Sequence, residues 1–186
     1  MRIIAGSLRG RRLGAVPKKG VRPTADPVRE ALFNILGPRV ARGFFLDLCA
    51  GTGAVGLEAF SRGAAPVLLL DKSRVALRAI EGNLERLGLG QAEGLRVVRA
   101  DLQSWLTQAE PLQGEGVAYL DPPYEERRTG RWIDALVDSP GLLPSGCLVV
   151  VEHRSGHLPE VGVGAPAWSR RYGDTTLSAW MAGEAR

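Results

Sequence analysis

The stretch DLCAGTGAVGLEAF, Asp47 to Phe60, follows the apolar run Phe44-Phe45-Leu46 and places Gly51, Gly53 and Gly56 in G-x-G-x-x-G spacing. Glycines let a chain turn sharply and approach a ligand closely, and the helix start beyond offers N–H groups without intrahelical partners. A buried strand, a glycine turn and a helix in that order predict the opening of a nucleotide-binding α/β unit. Downstream the alternation continues: APVLLLD, SRVALRAIEGNLERLG, LRVVRAD, LQSWLTQ, VAYLD, WIDALVD and CLVVVEH. Five strands separated by helices need crossover connections, which predicts a doubly wound α/β fold with a mostly parallel sheet covered on both faces. WSRRYGD and TTLSAWM, joined by a tight Gly-Asp turn, predict an antiparallel hairpin at the sheet's edge. Upstream, PTADPVREALFNILG predicts a helix capped by Asp26, started by Pro27, striped by Leu32, Ile35 and Leu36, and ended by Gly37-Pro38. RIIAGSLRGRRLGAV, with short aliphatic runs broken by glycine, predicts a small β-hairpin or arm.

Acids recur where these strands end. Asp71 closes the second, 20 positions after Gly51; Asp101 closes the third, Asp121 the fourth, and Asp47 sits late in the first. The carboxyl edge of an open α/β sheet is where ligands bind, and a carboxylate placed like Asp71 can accept both ribose hydroxyls of an adenosine. Such a cluster repels a pyrophosphate and welcomes a cation. S-adenosylmethionine, a nucleoside bearing a sulfonium and an ammonium, suits the site on charge grounds. For Asp47 and Asp101 the competing reading is a helix cap.

VAYLDPPYEERR, Val117 to Arg128, is the second informative stretch. Proline fixes its own φ and donates nothing to a ladder, so Pro122 and Pro123 stiffen the chain just past a strand's end. DPPY is a variant of the [DNS]-PP-[YFW] signature of amino-group methyltransferases. The carbonyl held there and the Asp121 carboxylate can accept both hydrogens of an exocyclic NH₂. This localises the nitrogen lone pair, and positioning supplies much of the rate. Asp121 also offers a site for the departing proton, and Tyr124 a face for a base extruded from its stack.

The 186 residues, 45% hydrophobic and 24% charged, fit one domain with a full core. No apolar run reaches the ~18 residues of a membrane span, and no signal-peptide pattern opens the chain. Cys49 and Cys147 read as small packing residues of a protein kept reduced, and the glycine and proline around His153 and His157 argue against a metal site there. A soluble, cytoplasmic monomer without metal is expected. Of the net charge of +4, Arg2, Arg9, Arg11, Arg12, Lys18, Lys19 and Arg22 all precede the first acid, Asp26. That clustering is a footprint for a polyanion, with a solvated basic surface as the plain alternative. Arg9, Arg11 and Arg12 are the expected phosphate contacts, with Arg127, Arg128 and Arg131 as a second set flanking the catalytic mouth.

Nearly the whole chain resembles the RsmD family of 16S ribosomal RNA guanine-N2 methyltransferases. The resemblance lies in IIAGSLRGRRL, RPTADPVREALFNIL, DLCAGTGAVGLEAFSRGA, Asp71-Lys72-Ser73, DPPY and YGDTTLSAW. It implies a seven-stranded Rossmann-like class I methyltransferase fold, with residues 1–40 a basic arm and helix extending a methyltransferase domain of residues 41–186. It also implies S-adenosylmethionine as donor and one guanine of the small-subunit rRNA, assembled or assembling, as acceptor. By resemblance the cofactor site is Asp47, Gly51, Gly53, Asp71 and Asp101, with Arg22, Pro23 and Thr24 closing over it, and the catalytic strip is Asp121, Pro122, Pro123 and Tyr124.

The residues alone leave alternatives open. An NAD-dependent oxidoreductase shares the glycine spacing and Asp71 but has no use for DPPY. A non-catalytic RNA-binding module needs only the basic arm. Adenine N6, cytosine N4 or a glutamine amide would fit the same carbonyl-carboxylate clamp, and only the resemblance points to guanine.

Overall fold

The computed structural model describes residues 1–14, 26–138 and 141–183. The expected closure by Arg22, Pro23 and Thr24 lies outside them. Helix α1 (Asp26–Leu36) and a 3₁₀ helix (Gly37–Arg42) lead into β1 (Phe44–Asp47), α2 (Ala54–Ser61), β2 (Val67–Asp71), α3 (Arg74–Leu87) and β3 (Leu95–Arg99). Then come α4 (Leu102–Leu106), β4 (Gly116–Leu120), α5 (Thr129–Val137), β5 (Leu148–Arg154), β6 (Trp168–Tyr172) and β7 (Thr175–Met181). The strands form one sheet in the order β3-β2-β1-β4-β5-β7-β6. β1 pairs in parallel with β2 and β4, so chain direction through the sheet reverses beside β1 and opens a crevice at its carboxyl end.

Parallel strands covered on both faces read as unbroken apolar runs, and β1 and β4 are buried at every position. Phe45, Val117, Tyr119 and Val150 face one layer with Leu32 and Phe33 of α1 and Ile80 of α3. Phe44, Leu46, Ala118, Leu120 and Val149 face the other with Trp132, Ile133 and Leu136 of α5. The predicted C-terminal hairpin is present, with β6 as the edge and β7 inserted antiparallel between it and β5.

Two local expectations are corrected. Residues 1–14 form an arm rather than a regular hairpin: its ends meet at an antiparallel bridge between Arg2 and Arg12, with Ile3 N donating to Arg11 O at 3.0 Å, Gly10 N to Ile3 O at 2.9 Å and Leu13 N to Met1 O at 3.2 Å. Four further backbone donors, those of Ile4, Ala5, Ser7 and Leu8, go to α2. Glu58, fully buried, accepts the N–H groups of Ile4 at 2.7 Å and Ala5 at 3.0 Å, and Ser61 O accepts Ser7 N at 2.7 Å. Gly6 makes the contact possible: its φ is 84°, and a Cβ there would stand 1.8 Å from Ser61 O. The second correction concerns α1. Ile35 is exposed, and the buried stripe is Val28, Arg29, Leu32, Phe33 and Leu36. Arg29 reaches inward, where its Nη2 donates to Arg2 O at 2.6 Å and to Asp26 Oδ1 at 3.1 Å. The helix ends at Leu36 as expected, but the chain tightens into the 3₁₀ turn rather than leaving as a loop.

Candidate active site

The glycine turn leaves β1 between its two neighbours, with Leu48 N donating to Tyr119 O at 2.9 Å and Ala50 N to Leu70 O at 3.0 Å. Gly51 and Gly53 then take left-handed φ of 55° and 77°, which side chains disfavour. Asp71 shapes this turn from β2: its Oδ2 accepts Gly51 N at 2.9 Å and its Oδ1 accepts Ser73 N at 2.8 Å. Ser73 caps α3 through Val75 and Ala76. Asn83, on α3, spans the loops, donating to Thr52 O at 2.8 Å and accepting Gly14 N at 2.7 Å. Sequence reasoning passes over it, because one polar residue in an amphipathic helix carries no pattern.

The turn borders a cleft of about 460 Å³ whose walls include Cys49, Gly51, Asp71, Asp101, Asp121 and Pro122. Asp47, expected at the ligand, lies beneath the turn instead, only 1% exposed, with Oδ2 accepting Gly56 N at 2.9 Å in the first turn of α2. Burial pushes its pKa up to about 7; the Gly56 bond pulls back and the Asp71 charge adds to the rise. Gly53 is likewise buried and supports the turn from below. Burial, together with the Asp121, Asp71 and Asp47 carboxylates, also raises the Cys49 thiol, so it borders the cleft as a neutral packing group.

Asp101 does two jobs. It caps α4, accepting Gln103 N at 3.1 Å, and its two oxygens each accept a guanidinium N–H of Arg128 at 3.1 Å. Arg128 grips Glu126 as well, through Nε to Oε1 and Nη2 to Oε2, both at 2.8 Å, and lies 5.0 Å from the Trp132 ring centroid. Hydrogen bonding to Arg128 holds Asp101 and Glu126 below the usual carboxylate range and raises the guanidinium in turn. Arg128, grouped by sequence with the phosphate contacts, is thus committed to Asp101 and Glu126, two residues of the cleft's wall. Arg11 is similarly engaged, donating to Leu87 O and Arg86 O, both at 2.8 Å, at the C-terminus of α3. Arg9, Arg12, Arg127 and Arg131 are exposed.

Pro122 is buried, whereas Pro123 and Tyr124 are exposed. A second cavity, of about 560 Å³, opens beyond them, with Tyr124, Arg127, Arg131, Glu152 and Arg154 in its walls. Pro122, Pro123 and Glu126 border both spaces. The diproline corner is therefore a shared wall between a cleft lined by acids and a cavity rimmed by arginines. His153 is spent on the sheet, with Nε2 2.9 Å from Ser178 Oγ and Nδ1 3.0 Å from Arg154 O.

Known proteins similar to this chain match it over most of its length. Ribosomal RNA small subunit methyltransferase D of Escherichia coli is 37% identical over 87% of this chain and 79% of its own length. The protein of the same name from Haemophilus influenzae is 34% identical over 81% and 77%. Among solved structures, a hypothetical protein of Thermus thermophilus superposes with a TM-score of 0.78 at 35% identity, covering 96% of this chain and 98% of that one. An RNA methyltransferase of Salinibacter ruber, in complex with S-adenosyl-L-homocysteine, shares the fold with a TM-score of 0.63 at 17% identity, covering 89% and 97%. A family model described as "Conserved hypothetical protein 95" matches residues 1–181, and the chain belongs to this family, the RsmD family.

Proposed function

We propose that the protein is an S-adenosylmethionine-dependent methyltransferase acting on the N2 amine of one guanine in 16S rRNA of the small ribosomal subunit. One observation carries the reading: Asp121 lines the glycine-turn cleft, and the two prolines that follow it stand between that cleft and the arginine-rimmed cavity. A group on one side and an amine on the other would meet at a corner whose fixed proline φ angles can hold an NH₂ rigidly.

The residues present fit the cofactor. The cleft volume of about 460 Å³ falls within the ~300–1,000 Å³ of small-molecule sites, Gly51 puts no side chain in the way, Asp71 and Asp101 offer acceptors, and Lys72, the cation in the cleft's wall, lies within 4 Å of Asp101 and Glu126. Asp71 and Asp101 would hold the nucleoside, while Asp47 and Gly53 keep the turn in shape. When bound, S-adenosylmethionine supplies a methyl group made electrophilic by its sulfonium.

The chain's own part is positional and protonic. Asp121 and the Pro122 carbonyl accept the amine hydrogens, which leaves the nitrogen lone pair directed at the cleft. Once nitrogen carries its new substituent it is acidic, and Asp121 is the nearest acceptor for the proton in this scheme. Tyr124, exposed at the lip, stacks on the extruded base and offsets part of its unstacking, a few kcal/mol. Arg127 and Arg131 meet the phosphates beside it.

The test is methyl transfer from labelled S-adenosylmethionine to small subunits from a strain lacking the protein, with the product nucleoside identified by mass spectrometry. N2-methylguanosine is expected. Label in another nucleoside would move the assignment to another amine, and tight NADH binding without S-adenosylhomocysteine binding would overturn it.

A further inference from the structure

Asp121 shares this corner with Glu126, which Arg128 holds, and with Glu152 of β5. β4 and β5 run parallel and their ladder ends with Leu120 beside Val151, so Asp121 leaves β4 where Glu152 continues β5. Side chains alternate along strands, which puts Glu152 on the face that carries Val150 and, across the ladder, Tyr119. Glu152 is 1% exposed and borders the arginine-rimmed cavity with Pro122, Pro123 and Tyr124. Tyr119 OH donates to its Oε2 at 2.6 Å and fixes the carboxylate's orientation. An ionised carboxylate can accept about four hydrogen bonds, so it can serve a ligand in the cavity while Tyr119 holds it.

The pair Asp121 and Glu152 discriminates among amines that the clamp alone cannot tell apart. Guanine presents its N2 amine next to a ring N1–H, two donors side by side. Adenine N6 and cytosine N4 each lie next to an unprotonated ring nitrogen, an acceptor that a carboxylate repels. We infer that Glu152 is a specificity-determining residue that accepts the N1–H of guanine while Asp121 and the Pro122 carbonyl take the N2 amine. This rests on the methyl-transfer reading above and gives its choice of base a physical cause. Tyr119 then acts as the positioning residue, holding Glu152 from beneath.

The experiment uses small-subunit RNA assembled by splinted ligation with either guanine or 2,6-diaminopurine at the methylated position, reconstituted into subunits. The analogue keeps the 2-amine but has an acceptor at N1. The wild-type enzyme is expected to prefer guanine in kcat/KM by about 10²-fold or more, as sites built around a buried polar partner do. Glu152→Gln can present an amide N–H to the analogue's N1, and is expected to narrow that preference at least about tenfold with S-adenosylhomocysteine affinity unchanged. A purely structural role would lower both substrates equally and leave the ratio intact, which overturns the inference. Equal use of both bases by the wild type overturns it too, whatever the variant's stability, while leaving methyl transfer standing. No transfer to either RNA would instead remove the functional reading and this inference with it.

Discussion

Asp47→Asn should make this protein more stable at alkaline pH and leave it nearly unchanged in acid. Asp47 is buried beneath the glycine turn, and desolvation lifts its pKa from the ordinary 3.8 to about 7. A raised carboxyl pKa means that the folded state binds the proton more tightly than the unfolded chain does. Its contribution to stability is therefore full below the unfolded value of 3.8, and is lost as pH rises from there through about 7. At about 1.4 kcal/mol per pH unit, ionising this group inside the fold costs about 4 kcal/mol by pH 8.5. Asparagine keeps an oxygen for the Gly56 N–H and removes the charge. At about 2–4 °C per kcal/mol for a chain of this length, the variant should melt about 10 °C above the wild type at pH 8.5. At about pH 4, where little of that loss has accrued, the two should melt within about 2 °C of each other. Thermal denaturation followed by circular dichroism at both pH values is sufficient. A melting difference that does not change with pH, or a variant less stable at pH 8.5, would refute the argument.

Replacing Asp121 by Ala should lower methyl transfer at least ~10²-fold while S-adenosylhomocysteine still binds, a comparison of single-turnover rates with calorimetric titration. Arg128→Ala should weaken S-adenosylhomocysteine binding about tenfold or more by releasing Asp101 and Glu126, and leave the salt dependence of RNA binding unaltered. A slope reduced by about one unit would make Arg128 a phosphate contact after all. The double change Arg9→Ala, Arg12→Ala should flatten that slope by about two units in filter binding across a salt series. Gly56→Ala brings a Cβ to 2.1 Å from Leu69 Cδ2 and 3.2 Å from Asp47 Cβ, and should destabilise the fold by about 1–3 kcal/mol in urea unfolding.

The alternation that defines the sheet is plain in the sequence for a physical reason: strands covered on both faces must be apolar throughout, and glycine and proline mark their ends. Runs such as Val117–Leu120 could scarcely be anything else. What escapes a linear reading is the partner of each charge. Arg127 and Arg128 are neighbours of the same type, yet only Arg128 finds Asp101, 27 positions back in the chain. Arg29 looks like a surface residue of an amphipathic helix, and only the folded chain reveals the carbonyl of Arg2 waiting for it. Glu152 is equally silent in sequence, an acid at the end of the run Leu148–Val151 whose meaning depends on the strand beside it.

The docking of residues 1–14 on α2 bears on how tightly RNA can be held. Two backbone N–H groups on Glu58 and a third on Ser61 pin the loop that carries Arg9 and Arg12. A free basic tail would forfeit conformational entropy at every residue it immobilises on a phosphate backbone, about 1–2 kcal/mol each. If Arg9 and Arg12 meet phosphate as proposed, that loss is already met when the chain folds, and only their own side-chain torsions remain to be frozen.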